Sequence, residues 1–140
     1  MLDSFRELID ELLSTPSALR ELGVADSADD QVRTALALLT ERDATLLDQI
    51  QQATRTNDPV FPAPKETPSD ESLVGETAAL LDRFDTIRGE LVSLLMNLTL
   101  KDWERTAIDG RGRSITVADN VETHVEFDEA MRDRFDELLG

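Results

Sequence analysis

Apolar residues recur at steps of three and four along two long stretches of the chain, which is the spacing of helices that pack in a bundle. From Ser27 to about Thr54 the apolar seam is Val32, Ala35, Leu39, Asp43, Leu46, Ile50 and Ala53. From Thr116 to Leu139 the seam is Val117, Val121, His124, Asp128, Met131, Phe135 and Leu138. Each stripe is apolar at its ends and polar in its middle.

Two further helices complete the pattern. Ser4 to Glu7 reads as a capping box that opens the first helix. Thr15 and Pro16 read as the start of a short second piece, which ends at Gly23; the alternative is that this piece and the first helix count as one broken element. A third long helix is predicted from Thr67-Pro68 to about Leu98, with the seam Thr77, Leu80, Phe84, Ile87, Leu91, Leu94 and Leu98.

The segment between the second and third helices holds three prolines in residues 57–66 and cannot be helical. We expect an ordered crossover, with Val60 and Phe61 against the bundle. Trp103 follows the third helix in a short turn and is expected to close one end of the core. No strong strand is evident. The predicted fold is all-α: one domain over residues 1–140, a four-helix bundle, up-down, with a proline-rich crossover between helices 2 and 3.

Charge and composition exclude several classes of function. The net charge is −16, from 30 acidic and 14 basic residues, and such a surface repels phosphate backbones, so no nucleic-acid partner is expected. The chain contains no cysteine, which removes disulfides and thiol chemistry by the protein itself. No apolar run reaches the roughly 18 residues of a membrane span, and residues 1–13 do not resemble a signal peptide. We expect a cytoplasmic protein with no membrane association.

The polar interruptions suggest a layer in the middle of the bundle. Asp43, His124 and Asp128 each break an apolar seam, and buried polar groups cost stability unless they are paired. These three residues are the candidate catalytic residues, as an acid/base pair or a mixed carboxylate–imidazole site. The alternative is a structural layer, paired with Arg132 or Arg42, that sets the helix register.

Substrate-binding residues are less clearly marked. Arg132, with Arg88 and Arg42, could bind an anionic substrate through the planar guanidinium. Arg132 and Trp103 are therefore the candidate substrate-binding residues. The alternative for such arginines is a solvated surface or a partner on the same helix. The loop of residues 109–113 lacks the spacing and the lysine of a phosphate-binding loop, and is most simply a tight turn.

Much of the chain resembles the DinB/YfiT-like superfamily of four-helix bundles. The resemblance rests on FDTIRGELVSLLMNLTLKDWERTAIDGRGRSITVADNVETHVEFDEAMRDRF in residues 84–135, and on FRELIDELLSTPSALREL and ALALLTERDATLLDQI in the first half. It implies a divalent metal held by three histidines, one from the second long helix and two, four apart, from the last. The matching positions are taken as Leu38, Asp128 and Arg132, which implies that no metal or other cofactor is held. His124 falls one turn earlier, where relatives can carry a histidine that is not a ligand.

Three functions stay open. The leading hypothesis is a DinB-like bundle without the metal centre, for which the sequence selects no reaction. The alternative is an enzyme, a thiol-dependent or metal-assisted transferase acting at the Asp43, His124 and Asp128 layer, with a small-molecule or thiol ligand in the central cleft. The resemblance includes relatives that transfer small thiols or isomerise substrates with one. The third is an interaction module with an exposed apolar face.

A homodimer is also expected. The third helix carries apolar residues beyond its seam, and one core takes up a stripe only about 100° or slightly more in width. These additional apolar residues are Leu73, Val74, Leu81, Val92, Leu95 and Met96. They predict a second apolar face that is buried against a two-fold related copy of the chain. Sedimentation that shows only monomer at micromolar concentration would contradict it.

Overall fold

The computed structural model describes residues 2–140, with side chains from Ser4 onwards. Four long helices form the bundle: α1 (Leu2–Glu21), α2 (Asp30–Arg55), α3 (Thr77–Met96) and α5 (Val117–Leu139). A short helix α4 (Leu100–Trp103) and a hairpin of strands β1 (Thr106–Ile108) and β2 (Ser114–Thr116) join α3 to α5. The predicted all-α class and four-helix bundle are confirmed.

The core consists of two apolar clusters, one on each side of a polar layer. The lower cluster includes Leu46, Ile50, Leu91, Trp103 and Val121. The upper cluster includes Leu19, Leu36, Phe84, Met131 and Phe135. The direction of each helix follows from which cluster its first and last residues contact. Helices α1 and α5 run from the lower cluster to the upper one, and α2 and α3 run the opposite way.

This arrangement refines the predicted up-down order, because α2 and α3 are parallel. Parallel neighbours need a connection that returns along the bundle, and α3 with its 20 residues is about 30 Å long. The crossover of residues 56–76 supplies that length. Its Phe61 is buried in the lower cluster, as predicted, whereas Val60 is 72% exposed and pairs through its backbone with Ile108 instead.

The sequence pattern of α2 and α5 is confirmed in detail. All seven predicted seam residues of α2 are buried, and so are those of α5 except Leu138, which is half-buried. Asp29 caps α2, since its carboxylate accepts from the backbone N–H groups of Gln31 and Val32. Thr116 and Asp119 form the capping box that opens α5.

The predicted boundaries of α1 and α3 are wrong. Helix α1 continues through Ser4, because no helix breaker precedes it, and also through Pro16, so the two predicted pieces are one helix. Helix α3 begins only at Thr77. Residues 70–73 form a separate 3-10 turn, and Gly75, at φ 109°, turns the chain into the helix with a conformation that other residues rarely adopt.

The apolar surplus on α3 lies largely in the core of the monomer. Leu81, Val92 and Leu95 are buried, because the buried face of α3 is centred about one residue away from the predicted seam. Only Val74 and Met96, 66% and 68% exposed, remain as large apolar side chains on the surface of this segment. The homodimer therefore stays a prediction with a weaker basis. None of the helices in residues 2–140 combines the length and apolar character of a membrane span.

Candidate functional site

The centre of the polar layer is Arg88 on α3, which is 1% exposed. Its guanidinium bonds both oxygens of Asp43, from Nε to Oδ2 at 2.7 Å and from Nη2 to Oδ1 at 2.9 Å. On the other side it bonds Asp128, from Nη2 to Oδ1 at 2.7 Å and from Nη1 to Oδ2 at 3.3 Å. Such two-point contacts between guanidinium and carboxylate are strong and directional. Arg88 therefore links α2 to α5 through the middle of the bundle.

The fifth N–H group of Arg88 donates to a carbonyl in α1 that a proline leaves without a partner in the helix. Pro16 has no backbone N–H, so the carbonyl of Leu12 one turn earlier loses its partner within the helix. That carbonyl accepts from Nη1 of Arg88 at 2.7 Å. All five guanidinium donors are thereby used. Thr15 on α1 also donates its hydroxyl to Asp128 Oδ2, so all four long helices contribute to the layer.

His124 joins the layer through Asp43. The ring atom Nε2 lies 2.7 Å from Asp43 Oδ1. An ionised carboxylate can only accept hydrogen bonds, so Nε2 carries the proton. In the neutral imidazole the other nitrogen, Nδ1, is then the acceptor. Nδ1 has no hydrogen bond to residues 4–140, yet it is not one of the fully buried side-chain atoms of that range that lack a partner. It is therefore accessible from outside the layer.

The charges of the layer keep Asp43 ionised. Burial by itself would raise the pKa of Asp43, but the hydrogen bonds from His124 and Arg88 and the positive charge of Arg88 outweigh it, and the net pKa is lowered. For Arg88, burial disfavours the charged form, and the bonds to Asp43 and Asp128 again prevail and raise the pKa. The guanidinium and the Asp43 carboxylate are thus both charged at neutral pH.

A cleft of about 480 Å³ opens beside His124. Its walls come from α2, from the start of α5, from the crossover and from the hairpin between β1 and β2. The apolar part of the wall includes Leu46, Phe61, Pro62 and Ile115, and the polar part includes Arg42, Arg111 and Asn120. His124 is the member of the buried layer that lines this cleft, so chemistry at the layer would reach a ligand through its imidazole.

Comparison with known proteins bears on the fold. No model of a protein family and no curated protein matches the sequence. A solved structure of YfiT from Bacillus subtilis matches 99% of this chain and 87% of its own length, with a TM-score of 0.81 and 16% identity. This chain has the YfiT-like four-helix bundle fold. YfiT is described as a probable metal-dependent hydrolase with an unusual four-helix bundle topology. At this low identity the likeness concerns the fold.

The YfiT-like bundle brings together three of the predicted site residues. Asp43, His124 and Asp128 lie in one layer, as the sequence predicted, and a role for them in catalysis stays a prediction. The predicted structural partners are wrong, because Arg88 and not Arg132 or Arg42 pairs with the carboxylates. Arg88 was missed in this role because the seam of α3 was read through Ile87. A second line of buried residues, which includes Leu81, Arg88 and Leu95, lies beside that seam, and Pro16 leaves a carbonyl of α1 without a helical partner near Arg88.

The two predicted substrate-binding residues lie away from the cleft. Arg132 lies on the α1 side of α5, where Nη1 bonds Ser14 Oγ at 3.2 Å and lies 3.9 Å from Glu11. Trp103 is 3% exposed, and its ring stacks on Phe5 with 4.5 Å between centroids. Neither residue lines the cleft. Trp103 closes the lower end of the core, as predicted.

The residues of the layer do not fit a divalent metal. Asp43 is a potential metal ligand on α2, and His124 and Asp128, four residues apart, are potential ligands on α5. The resemblance to the DinB/YfiT-like superfamily implies metal ligands on the same two helices with the same spacing. Every carboxylate oxygen among them already accepts from Arg88, and His124 directs its N–H at Asp43. Among the side chains of residues 4–140, no group of His, Cys, Asp and Glu is arranged to hold a metal ion. Two of the positions that match the superfamily's metal-binding histidines are also unsuitable, because Leu38 has no donor atom and Arg132 has a positive charge.

Proposed function

We propose that this chain is a ligand-binding bundle of the YfiT-like fold that works without a divalent metal, and in which Arg88 takes the place of the metal. The observation that supports this is the guanidinium of Arg88 between Asp43 and Asp128, with all five donors bonded. A guanidinium is charged at every physiological pH and cannot leave the protein. The ligand would lie in the cleft against His124.

Metal binding tests this proposal directly. We expect wild-type protein purified without added metal to contain no stoichiometric zinc or nickel, and its melting temperature to be unchanged by a chelator. In Arg88→Ala the three donors lose their resident cation, so zinc is expected to raise the melting temperature of this variant. Elemental analysis and thermal unfolding measure both effects.

The matched control is the double variant Arg88→Ala/His124→Ala, in which zinc should no longer stabilise the fold. This control separates binding at the layer from adventitious binding to the acidic surface. One equivalent of metal in the wild-type protein, lost in the single variant His124→Ala, would overturn the proposal. It would support metal-assisted chemistry at the layer instead.

A second candidate function is an enzyme, a transferase that activates a small thiol or hydroxyl in the cleft. The observation that favours it is the Asp43–His124 pair, since Asp43 fixes the proton on Nε2 and leaves Nδ1 as an acceptor accessible from outside the layer. The S–H or O–H bond of the bound molecule would break, the proton would pass to Nδ1, and the thiolate or alkoxide would be the nucleophile.

The tautomer of His124 tests this candidate. Nitrogen-15 spectra of the neutral imidazole should show protonated Nε2 and unprotonated Nδ1. Asp43→Asn, with an amide that can also donate, is expected to change that population. A neutral ring protonated on Nδ1 in the wild-type protein would contradict a role as proton acceptor.

A further inference from the structure

The cleft beside His124 carries positive charge in a strongly acidic protein. The net charge of the chain is −16, yet the charged side chains that line the cleft are three arginines and two aspartates. Both aspartates accept hydrogen bonds from groups close to them in the sequence: Asp109 from the loop between β1 and β2, and Asp119 from the backbone at the start of α5. Two of the arginines, Arg42 and Arg111, are therefore available to bind a ligand in the cleft.

The commitments of the aspartates are local. Asp109 Oδ1 accepts from the backbone N–H groups of Arg111 and Arg113, each at 2.9 Å, and Oδ2 accepts from Nε of Arg113 at 3.1 Å. These bonds lower the pKa of Asp109, chiefly through the backbone N–H of Arg113. Asp119 accepts from the backbone N–H of Thr116 in the capping box of α5. Neither carboxylate pairs with Arg42 or with the guanidinium of Arg111.

Arg42 is held in place but is not neutralised. Its guanidinium lies over the ring of Phe127, 3.9 Å from the centroid, and Nη1 donates to the carbonyl of Lys65 at 3.1 Å. Burial lowers the pKa of Arg42, and Glu66 only partly counters that effect. One planar face and one N–H are thus used for positioning, and the other N–H groups have no partner among residues 4–140, whose side chains the structure describes. An anion would compensate the charge that burial disfavours.

Arg111 lies at the tip of the hairpin between β1 and β2, where a glycine brings the loop against the crossover. A Cβ atom at Gly110 would lie 3.0 Å from the backbone nitrogen of Ala63, so any other residue would push the loop and the crossover apart by a few tenths of an ångström. The guanidinium of Arg111 makes no hydrogen bond or ion pair within the described part of the chain. The hairpin thereby presents a second unneutralised arginine to the cleft.

We propose that the cleft binds a small organic anion, whose carboxylate or phosphate group is held by Arg42 and Arg111 and whose apolar body contacts Phe61, Pro62 and Ile115. Arginine suits both groups, because its fork of N–H donors matches their paired oxygens. This inference rests on the proposed function only in placing the ligand in the cleft beside His124 without a metal. It adds the chemical class of the ligand.

The experiment compares a charged probe with its neutral isostere. Benzoate, benzamide and inorganic phosphate are titrated into nitrogen-15-labelled protein in the presence of chelator, and amide shifts are followed around the cleft. We expect benzoate to shift the signals of α2 and the hairpin, and benzamide to bind at least about tenfold more weakly, which is the effect of losing one charge-assisted contact. Phosphate shows whether the anionic group alone is sufficient.

Matched variants assign the effect to the two arginines. Arg42→Gln and Arg111→Gln should each weaken benzoate binding about tenfold. Arg134→Gln, an exposed arginine on α5 that does not line the cleft, changes the net charge equally and should leave the affinity unchanged. Equal binding of benzoate and benzamide, no binding of either anion, or loss of affinity in all three variants would overturn the inference while leaving the metal-free function intact. Binding that needs added zinc and ignores the arginine substitutions would overturn both.

Discussion

Replacing Arg88 by methionine is expected to lower the free energy of unfolding by about 3–5 kcal/mol, the usual cost of removing one partner from a buried ion pair. The substitution leaves the carboxylates of Asp43 and Asp128, which are at most 2% exposed, without their shared cation. It also leaves the carbonyl of Leu12 unpaired, since Pro16 provides no N–H in its place. Urea unfolding followed by circular dichroism measures the loss.

Two further variants separate the ion pairs from general effects of the substitution. Arg134→Met removes an exposed arginine and should change stability by no more than about 0.5 kcal/mol. The triple variant Asp43→Leu/Arg88→Met/Asp128→Leu should recover part of the loss, because apolar groups that replace buried ion pairs are often tolerated, while the carbonyl of Leu12 and the ring of His124 stay without their partners. A value for Arg88→Met within about 1 kcal/mol of wild type would show that the network does not stabilise the bundle.

Trp103→Ala is expected to cost about 3–5 kcal/mol of stability and to leave anion binding in the cleft unchanged. The indole is 3% exposed in the lower cluster, and its ring is nearly parallel to that of Phe5, with 5° between the planes. Truncation therefore removes a large apolar side chain and leaves a cavity at the end of the core. Thermal and urea unfolding measure the stability, and benzoate titration measures the binding.

Met96→Ala provides the control, since Met96 is 68% exposed on the neighbouring helix and should change stability by no more than about 0.5 kcal/mol. The two readouts distinguish a structural tryptophan from a substrate-binding one. A folded Trp103→Ala variant with normal stability and weakened benzoate binding would restore Trp103 as a substrate-binding residue and contradict its structural role.

The sequence by itself determined the helices whose signals are local. The seams of α2 and α5 follow from spacing within one helix, and both are observed. The prolines of residues 57–66 excluded helix there for a reason that needs no tertiary contact. The polar interruptions at Asp43, His124 and Asp128 were also visible, because each breaks the stripe of its own helix.

The tertiary structure decided how those interruptions are paired and where a ligand has access. The apolar seam of α3 that runs through Ile87 leaves Arg88 beside it, and only packing against α1 and α2, with the bonds to Asp43 and Asp128, buries this arginine. Pro16 has the sequence signature of a helix start, but it lies inside α1. Arg88, which bonds the Leu12 carbonyl that Pro16 leaves without a partner, lies 72 residues further along the chain than Pro16. The cleft likewise joins α2, the crossover, the hairpin and α5. These features depend on contacts between distant segments, which the periodicity of a single helix does not encode.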